Sequence, residues 1–390
     1  MSMRLLVLAS ALDLKAGFSS TPHWWQLLRA LAVAGTDLTV VPYAGRPVES
    51  LYWRAHDNPC LREGQAFALA KRMFHAQGAP TGGAAPSWTD GAVRALVDAW
   101  IRPKWIACVR ALFAATRFDA VLMLNVPLNH LNGLASEVRS RHRVPVWYYD
   151  GDLPSSLPEH GGLASSFRYY EGADLGEYDG FFSNSVGAVP LVLARGAKRV
   201  EVVHWGADPD VYRVIEATPE LDTFFHGYGE AYRREALESL IYEPARRLPG
   251  RKLAVGGRGF DSAPREVAYL GDVPFAHYPA TCARSRVNLI VTRSTHADME
   301  GTSSARPFEL GAMGVAAVTN PWKGLERWYE PGREILVAKD AGEAVAIYEE
   351  LWKHDSLRRE MGAAMRKRTL AEHTYDHRAR QVLASLAQRG

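Results

Sequence analysis

The sequence is short of cysteine, of long apolar runs and of net charge, and each shortage excludes a class of protein. Its three cysteines, Cys60, Cys108 and Cys282, lie far apart. They exclude a disulfide framework and a cysteine zinc site, and they predict a reducing, cytoplasmic location. No apolar stretch approaches the ~20 residues needed to span a membrane. A net charge of +3 is too small to indicate nucleic acid or a membrane surface as a partner.

Apolar segments of strand length alternate with helical segments, which predicts an α/β fold with doubly wound parallel sheets. The predicted strands cover residues 4–10, 38–43, 119–124, 144–149, 179–183, 199–203, 221–226, 252–255, 287–291, 315–319 and 335–338. A length of 390 residues favours two domains. We predict a first domain at 1–204 with a helical insertion, a second at 205–370, and a C-terminal helix at 371–390 that crosses back to the first.

A polar loop between two predicted strands has the composition of an anion site. Gly301-Thr302-Ser303-Ser304 precedes an apolar helix that begins near Arg306 and ends at Gly314. Ser303 or Ser304 is the predicted helix cap. A helix N-terminus presents free N–H groups and a positive dipole end, where a phosphate can bind. Tight turns and helix caps are the alternative use of such residues.

Further polar residues of the second half extend this candidate site. Arg293 and Arg306 flank the loop, and Glu309 lies one turn inside the helix, where it could accept hydrogen bonds from ribose hydroxyls. A second strand-to-helix loop carries two glycines and an arginine. A phosphate site beside an acceptor for hydroxyl groups suits a nucleotide sugar, which acts as a sugar donor. The predicted donor-binding residues are Gly227, Tyr228, Gly229, Arg233, Arg293, Thr302, Ser303, Ser304, Arg306 and Glu309.

In the first half, aspartates and histidines follow predicted strands. Asp150-Gly151-Asp152 imitates a metal-binding D-x-D sequence, but turn aspartates are common and we predict no metal. Asp150 and His130 are candidate catalytic groups. Asp152 and His23 are candidate acceptor-binding groups. A purely structural role is open for each.

Three motifs of the second half resemble one glycosyltransferase family. They are residues 303–314 (SSARPFELGAMG), 324–334 (GLERWYEPGRE) and 372–378 (EHTYDHR). In this order they are similar to the C-terminal half of glycosyltransferases related to the spore maturation protein family, near the group-1 glycosyltransferases. Asn184-Ser185 and residues 204–208 (HWGAD) are similar to the domain crossing of that family.

The resemblance implies a GT-B fold, with two Rossmann-like domains and a deep cleft between them. It also implies a metal-independent transferase that needs no cofactor besides a nucleotide-sugar co-substrate, here expected to be a UDP-sugar. By position, Glu309 resembles the glutamate that binds the donor ribose, and Glu300 resembles the catalytic first glutamate of retaining group-1 enzymes. Eight residues separate Glu300 from Glu309, one more than in that motif.

Other functions fit the same pattern. A nucleotide-sugar epimerase of this fold would also bind the donor, and a coat or assembly protein would keep the fold without turnover. A DNA-base glycosyltransferase would need more positive charge than the sequence has. The acceptor is open between a glycan, a small molecule and a natural product, and the sequence leaves the donor sugar, the anomeric outcome and the oligomeric state open as well.

Overall fold

The computed structural model describes residues 2–14, 21–65, 94–160 and 169–388. The chain divides into two compact units, each with its own parallel sheet. The first unit contains residues 1–183, 189–202 and 380–390. The second contains residues 184–188 and 203–379. Both units therefore take up chain from more than one stretch of the sequence.

The first unit contains a seven-stranded sheet in the order β3-β2-β1-β4-β5-β6-β7. Its strands are Arg4–Ala11 (β1), Asp37–Ala44 (β2), Arg54–Ala55 (β3), Ala120–Leu124 (β4), Val146–Asp150 (β5), Gly180–Ser183 (β6) and Val200–Val202 (β7). Its helices are Thr21–Val33 (α1), Arg102–Ala115 (α2), Leu134–His142 (α3) and Val189–Leu193 (α4). The described part also contains a π-helical segment, Val97–Ile101, and short 3-10 turns at Leu128–Leu131, Pro158–His160 and Leu175–Glu177.

The apolar character of the central strands explains this sheet. Leu5, Leu6, Val7 and Leu8 of β1 are fully buried, as expected for a parallel strand that is covered on both faces. β1 pairs with β2 on one side and with β4 on the other, both parallel. The short strand β3 lies within residues 48–116, the region of the predicted helical insertion, which we expected to be mostly helical. Much of that prediction falls at 66–93, outside the described residues.

The second unit contains a six-stranded sheet in the order β10-β9-β8-β11-β12-β13. Its strands are Leu221–Tyr228 (β8), Leu253–Arg258 (β9), Ala268–Tyr269 (β10), Ser285–Ile290 (β11), Ala317–Thr319 (β12) and Leu336–Val337 (β13). Its helices are Arg234–Leu237 (α5), Glu243–Arg247 (α6), Tyr278–Ala283 (α7), Ser294–Ala297 (α8), Arg306–Met313 (α9), Ala341–Lys353 (α10) and Asp355–Glu372 (α11). The last helix, Tyr375–Ala387 (α12), is divided between the two units at residue 380. A π-helical segment, Glu238–Tyr242, joins α5 to α6, and 3-10 turns lie at Ala231–Arg233 and Leu325–Arg327.

The order in which the chain adds strands reverses at one place in each sheet, and this place is where a ligand can bind. The chain moves outward from β1 to β3 and then resumes on the other side at β4, and it does the same between β8 and β11. Ligands of doubly wound sheets bind beyond the carboxyl ends of the strands at this switch point. The predicted fold class, two Rossmann-like doubly wound domains, is confirmed. No helix in the described ranges is long and apolar enough to cross a membrane.

Candidate active site

Two arginines converge on one tyrosine ring at the switch point of the second sheet. Arg233 follows β8, and its Nε donates to the carbonyl oxygen of Val291, after β11, at 3.0 Å. The Arg233 and Arg293 guanidinium carbons lie 5.0 Å and 5.5 Å from the centre of the Tyr232 ring. Burial, followed by the charge of Arg293, lowers the pKa of Arg233 to about 10. Among the described residues no carboxylate pairs with Arg233, whose side chain lies beyond the carboxyl ends of β8 and β11.

A buried ion pair lies at the start of α9. Arg306 Nη1 donates to Glu309 Oε2 at 2.7 Å, one turn along the helix. The other carboxylate oxygen of Glu309 accepts from the hydroxyl of Tyr212 at 2.7 Å. The side chain of Glu309 is 5% exposed and that of Arg306 is 21% exposed. Glu309 is therefore held at both oxygens, and Arg306 is occupied by protein partners.

The remaining contacts of Arg306 reach the end of β8. Its Nη2 donates to Nδ1 of His226 at 3.1 Å, and its guanidinium carbon lies 4.3 Å from the centre of the Tyr278 ring. Burial, followed by the positive charge of Arg306, lowers the pKa of His226 to about 4. His226 is therefore neutral at physiological pH, as an acceptor for an arginine must be.

The two glycines after His226 have a packing role. A Cβ atom on Gly229 would lie 2.1 Å from the carbonyl oxygen of Gly259, and one on Gly227 would lie 2.6 Å from the Phe225 ring. A larger residue at position 229 would push the two chain segments apart, and one at position 227 would displace the Phe225 ring. The role of Gly227, Tyr228 and Gly229 in donor binding stays a prediction.

The polar loop before α9 differs from its predicted form. The amides of Gly301 and Ser303 donate to the carbonyl oxygens of Lys323 and Asn184, both at 3.1 Å, so the prediction that the loop gathers free N–H groups is wrong for these two. The predicted serine cap is also wrong, because Ala305 holds the N-cap position without a side-chain hydrogen bond. Backbone carbonyl groups of the protein itself therefore accept from both of these amides.

Thr302 and Ser303 are buried, whereas Ser304 is half-buried. The hydroxyls of Thr302 and Ser185 lie 2.6 Å apart, and the Ser303 hydroxyl accepts from the Trp205 amide at 3.3 Å. Donor binding by this trio stays a prediction.

Glu300 lies on the surface of the second unit. Its Oε1 accepts from Arg327 Nε at 2.9 Å, and its side chain is 47% exposed. Its backbone carbonyl accepts from the Gly187 amide at 2.9 Å. A catalytic role for Glu300 stays a prediction.

In the first unit, a polar network lies at the carboxyl ends of β4 and β5. Asp150 is fully buried. It accepts from the Asp152 amide at 2.8 Å, the Ser156 hydroxyl at 2.9 Å and the Tyr170 hydroxyl at 2.7 Å. Burial, followed by the charge of Asp152, raises the pKa of Asp150 to about 6. Asp152 is half-buried and accepts from Asn125 Nδ2 at 3.2 Å.

His130 and His23 lie elsewhere in the first unit. His130 is buried, and its Nδ1 forms a hydrogen bond with the hydroxyl of Tyr43 at the end of β2. Burial, followed by the charge of Arg102, lowers the pKa of His130 to about 4. His23 lies half-buried in the first turn of α1.

Several residues of these networks were not predicted from the sequence. His226 and Tyr232 had a signal, because each directly precedes a predicted site residue, Gly227 or Arg233. Asn125 had one as well, since it directly follows a predicted strand. Tyr212 and Tyr278 had none, because only the tertiary fold brings them to α9.

Comparisons with known proteins agree with the fold. Residues 233–384 match the family model described as glycosyl transferase-like, and no curated protein matches significantly. Sucrose-phosphate synthase from Thermosynechococcus elongatus has a TM-score of 0.64 at 13% identity, over 98% of this chain and 100% of its own. Anabaena HepE in complex with UDP gives 0.62 at 13%, over 99% and 100%. Trehalose-6-phosphate synthase OtsA gives 0.64 at 15%, over 99% of each chain. The resemblance to GT-B glycosyltransferases of the group-1 type is confirmed.

Proposed function

We propose that this chain, a glycosyltransferase of the GT-B fold class, transfers a sugar from a UDP-sugar donor to a hydroxyl-bearing acceptor. The donor binds at the switch point of the second sheet, with its diphosphate beside Arg233 and Arg293. The observation that carries the proposal is the pair of arginines on one tyrosine ring, one of which, Arg233, is half-buried and has no carboxylate partner among the described residues. A guanidinium that has a second cation beside it and no carboxylate partner is stabilised when an anion binds it.

The choice of donor rests on chemistry and on similarity. A diphosphate suits two neighbouring guanidinium groups, since each can form charge-assisted hydrogen bonds to its oxygens. HepE, a protein of similar fold, has been crystallised in complex with UDP and with UDP-glucose. Glu309 would accept hydrogen bonds from the ribose hydroxyls. These points favour a uridine nucleotide.

The same arginines would assist the reaction. When the bond between the sugar and the diphosphate breaks, the leaving group gains negative charge while the sugar becomes oxocarbenium-like. Fixed positive groups stabilise that charge in the transition state. We propose that Arg233 and Arg293 do this without a metal ion, and that the sugar keeps its anomeric configuration. An NMR spectrum of the anomeric proton of the product tests the second point.

The acceptor would bind in the first unit, at the carboxyl ends of β4 and β5. Asp152 is half-buried there and is held by Asn125. A carboxylate in this position can accept a hydrogen bond from an acceptor hydroxyl and take its proton. Asp150, which is fully buried, would hold Asp152 in place by accepting a hydrogen bond from its backbone amide. His130 and His23 remain further candidates.

A charge-matched pair of variants tests the donor site. Arg233→Met removes the half-buried arginine, whereas Arg234→Met removes the same charge from the exposed neighbour. Isothermal titration with UDP should show an affinity loss of roughly 10–100-fold for Arg233→Met, from the ~1.5–3 kcal/mol of a charge-assisted hydrogen bond. Arg234→Met should bind as the wild type does.

Four outcomes would contradict the proposal. Equal losses of UDP affinity in both variants would mean that the overall positive charge of this region, and not a specific contact with Arg233, attracts UDP. Wild-type protein that fails to bind UDP would favour a protein without turnover or a different donor. Release of an epimer of UDP-glucose in the absence of any acceptor would indicate an epimerase. Donor binding and turnover that disappear with EDTA would overturn the metal-free mechanism.

A further inference from the structure

We propose that His226 is a positioning residue of the donor site and that it orients Glu309 toward the ribose through Arg306. The proposal rests on the proposed function, because it assumes that a nucleotide occupies the second unit. It adds a chain of four side chains, Tyr212, Glu309, Arg306 and His226, that determines how strongly the site distinguishes a ribose from a sugar without hydroxyls.

The chain of contacts begins at the end of β8. His226 Nδ1 accepts from Arg306 Nη2 at 3.1 Å, and Arg306 Nη1 donates to Glu309 Oε2 at 2.7 Å. The two guanidinium nitrogens therefore face different partners. A guanidinium is planar and presents its donors in a fixed fork. Because of this rigidity, the acceptor at one nitrogen fixes the direction of the other.

His226 can only act in one protonation state. An arginine N–H is always a donor, so Nδ1 must offer its lone pair and the proton of the neutral ring lies on Nε2. Both burial and the positive charge of Arg306 favour this neutral form. The ring also lies 4.9 Å from the ring of Tyr278, over which Arg306 packs. His226 and Tyr278 therefore both contact the guanidinium group of Arg306.

The other oxygen of Glu309 is fixed from the opposite end. The Tyr212 hydroxyl donates to Glu309 Oε1 at 2.7 Å, and Tyr212 itself is buried. Glu309 is thus oriented by one neutral donor and one charged donor. A preorganised acceptor loses less entropy when it binds a ligand, so this arrangement favours ligands with hydroxyl donors at the ribose position.

The test compares UDP with 2′,3′-dideoxy-UDP, which keeps the base and the diphosphate but lacks both hydroxyls. Isothermal titration gives the ratio of the two dissociation constants for each variant. His226→Leu keeps an apolar side chain of similar size without the acceptor. His226→Asn puts Oδ1 two bonds from Cβ, as Nδ1 is in histidine, and so restores the acceptor.

We expect the wild type to prefer UDP by at least about tenfold, from the ~1.5–3 kcal/mol of hydrogen bonds to a charged group. His226→Leu should bring the ratio close to one, while His226→Asn should keep it within about threefold of the wild type. Circular dichroism checks that each variant is folded. If His226→Leu does not fold, Tyr212→Phe provides the second variant, and it should lower the ratio in the same direction.

The outcomes separate the two proposals. A wild type that does not bind UDP contradicts the proposed function. A wild type that binds UDP and the dideoxy analogue equally well overturns the role of Glu309 at the ribose. A His226→Leu variant, or its Tyr212→Phe substitute, that binds UDP and keeps the full wild-type ratio overturns the positioning role.

Discussion

The ion pair between Arg306 and Glu309 gives a prediction whose size follows from the structure. Glu309→Leu leaves Arg306 without its carboxylate and leaves the buried hydroxyl of Tyr212 without its acceptor. Removing one member of a buried pair costs about 3–5 kcal/mol. We take about 3 kcal/mol, because Arg306 is still 21% exposed. An unsatisfied hydroxyl adds about 1 kcal/mol, which gives a total of about 4 kcal/mol.

Arg306→Met should cost about 3 kcal/mol, because it leaves the carboxylate of Glu309, 5% exposed, without its cation. In the double variant neither charge is left unpaired, so the loss should be well below the sum of about 7 kcal/mol. The difference from that sum is the coupling energy of the two charges. Both single variants should also weaken UDP binding.

Urea unfolding, followed by circular dichroism and tryptophan fluorescence, gives the free energy of unfolding of the wild type, the two single variants and the double variant. Because the chain has two units, each transition is fitted separately, and the comparison uses the one that the substitutions shift. A double variant that loses the full sum would mean that the two charges do not stabilise each other. The reasoning from burial and geometry would then be wrong.

Two further predictions concern single substitutions. Gly229→Ala should lower the unfolding midpoint measured by circular dichroism, because its Cβ would lie 2.1 Å from the backbone oxygen of Gly259; a stability equal to that of the wild type would contradict this. Asp150→Asn should alter how stability depends on pH. The folded-state pKa of Asp150 is raised to about 6 from 3.8, so the native state binds the extra proton and wild-type stability is lost as pH rises from about 4 through 6, by on the order of 3 kcal/mol. Urea unfolding at pH 4 to 7 should show this loss in the wild type and not in Asp150→Asn, and identical pH profiles would refute it.

The sequence predicted the sheets well because their signal is local. Parallel strands buried on both faces are continuous apolar runs, and the run at residues 4–10 became Arg4–Ala11. The helix Arg306–Met313 and its end at Gly314, in the left-handed conformation, also followed from neighbouring residues. The two-residue strand β3 has too few residues to form a pattern, and it was missed.

The candidate site was harder to predict because its contacts join distant parts of the chain. Serine is a common helix cap, but the hydroxyl of Ser303 accepts from the backbone amide of Trp205. Arg306 was expected to face a phosphate, and its partners are Glu309 and His226. A residue type tells which hydrogen bonds are possible, and only the fold decides which partner takes them.

The division of the chain has a consequence for synthesis. The first unit includes residues 380–390, while nearly all of the second lies at 203–379. In that last piece Ser385 donates to Glu201, and Gln388 accepts from Arg199 at 2.6 Å. The ribosome must therefore make the whole second unit before the first has all of its chain, a wait on the order of 10–40 s at roughly 5–20 residues per second. During that time the nascent first unit lacks the helical segment that contacts Arg199 and Glu201.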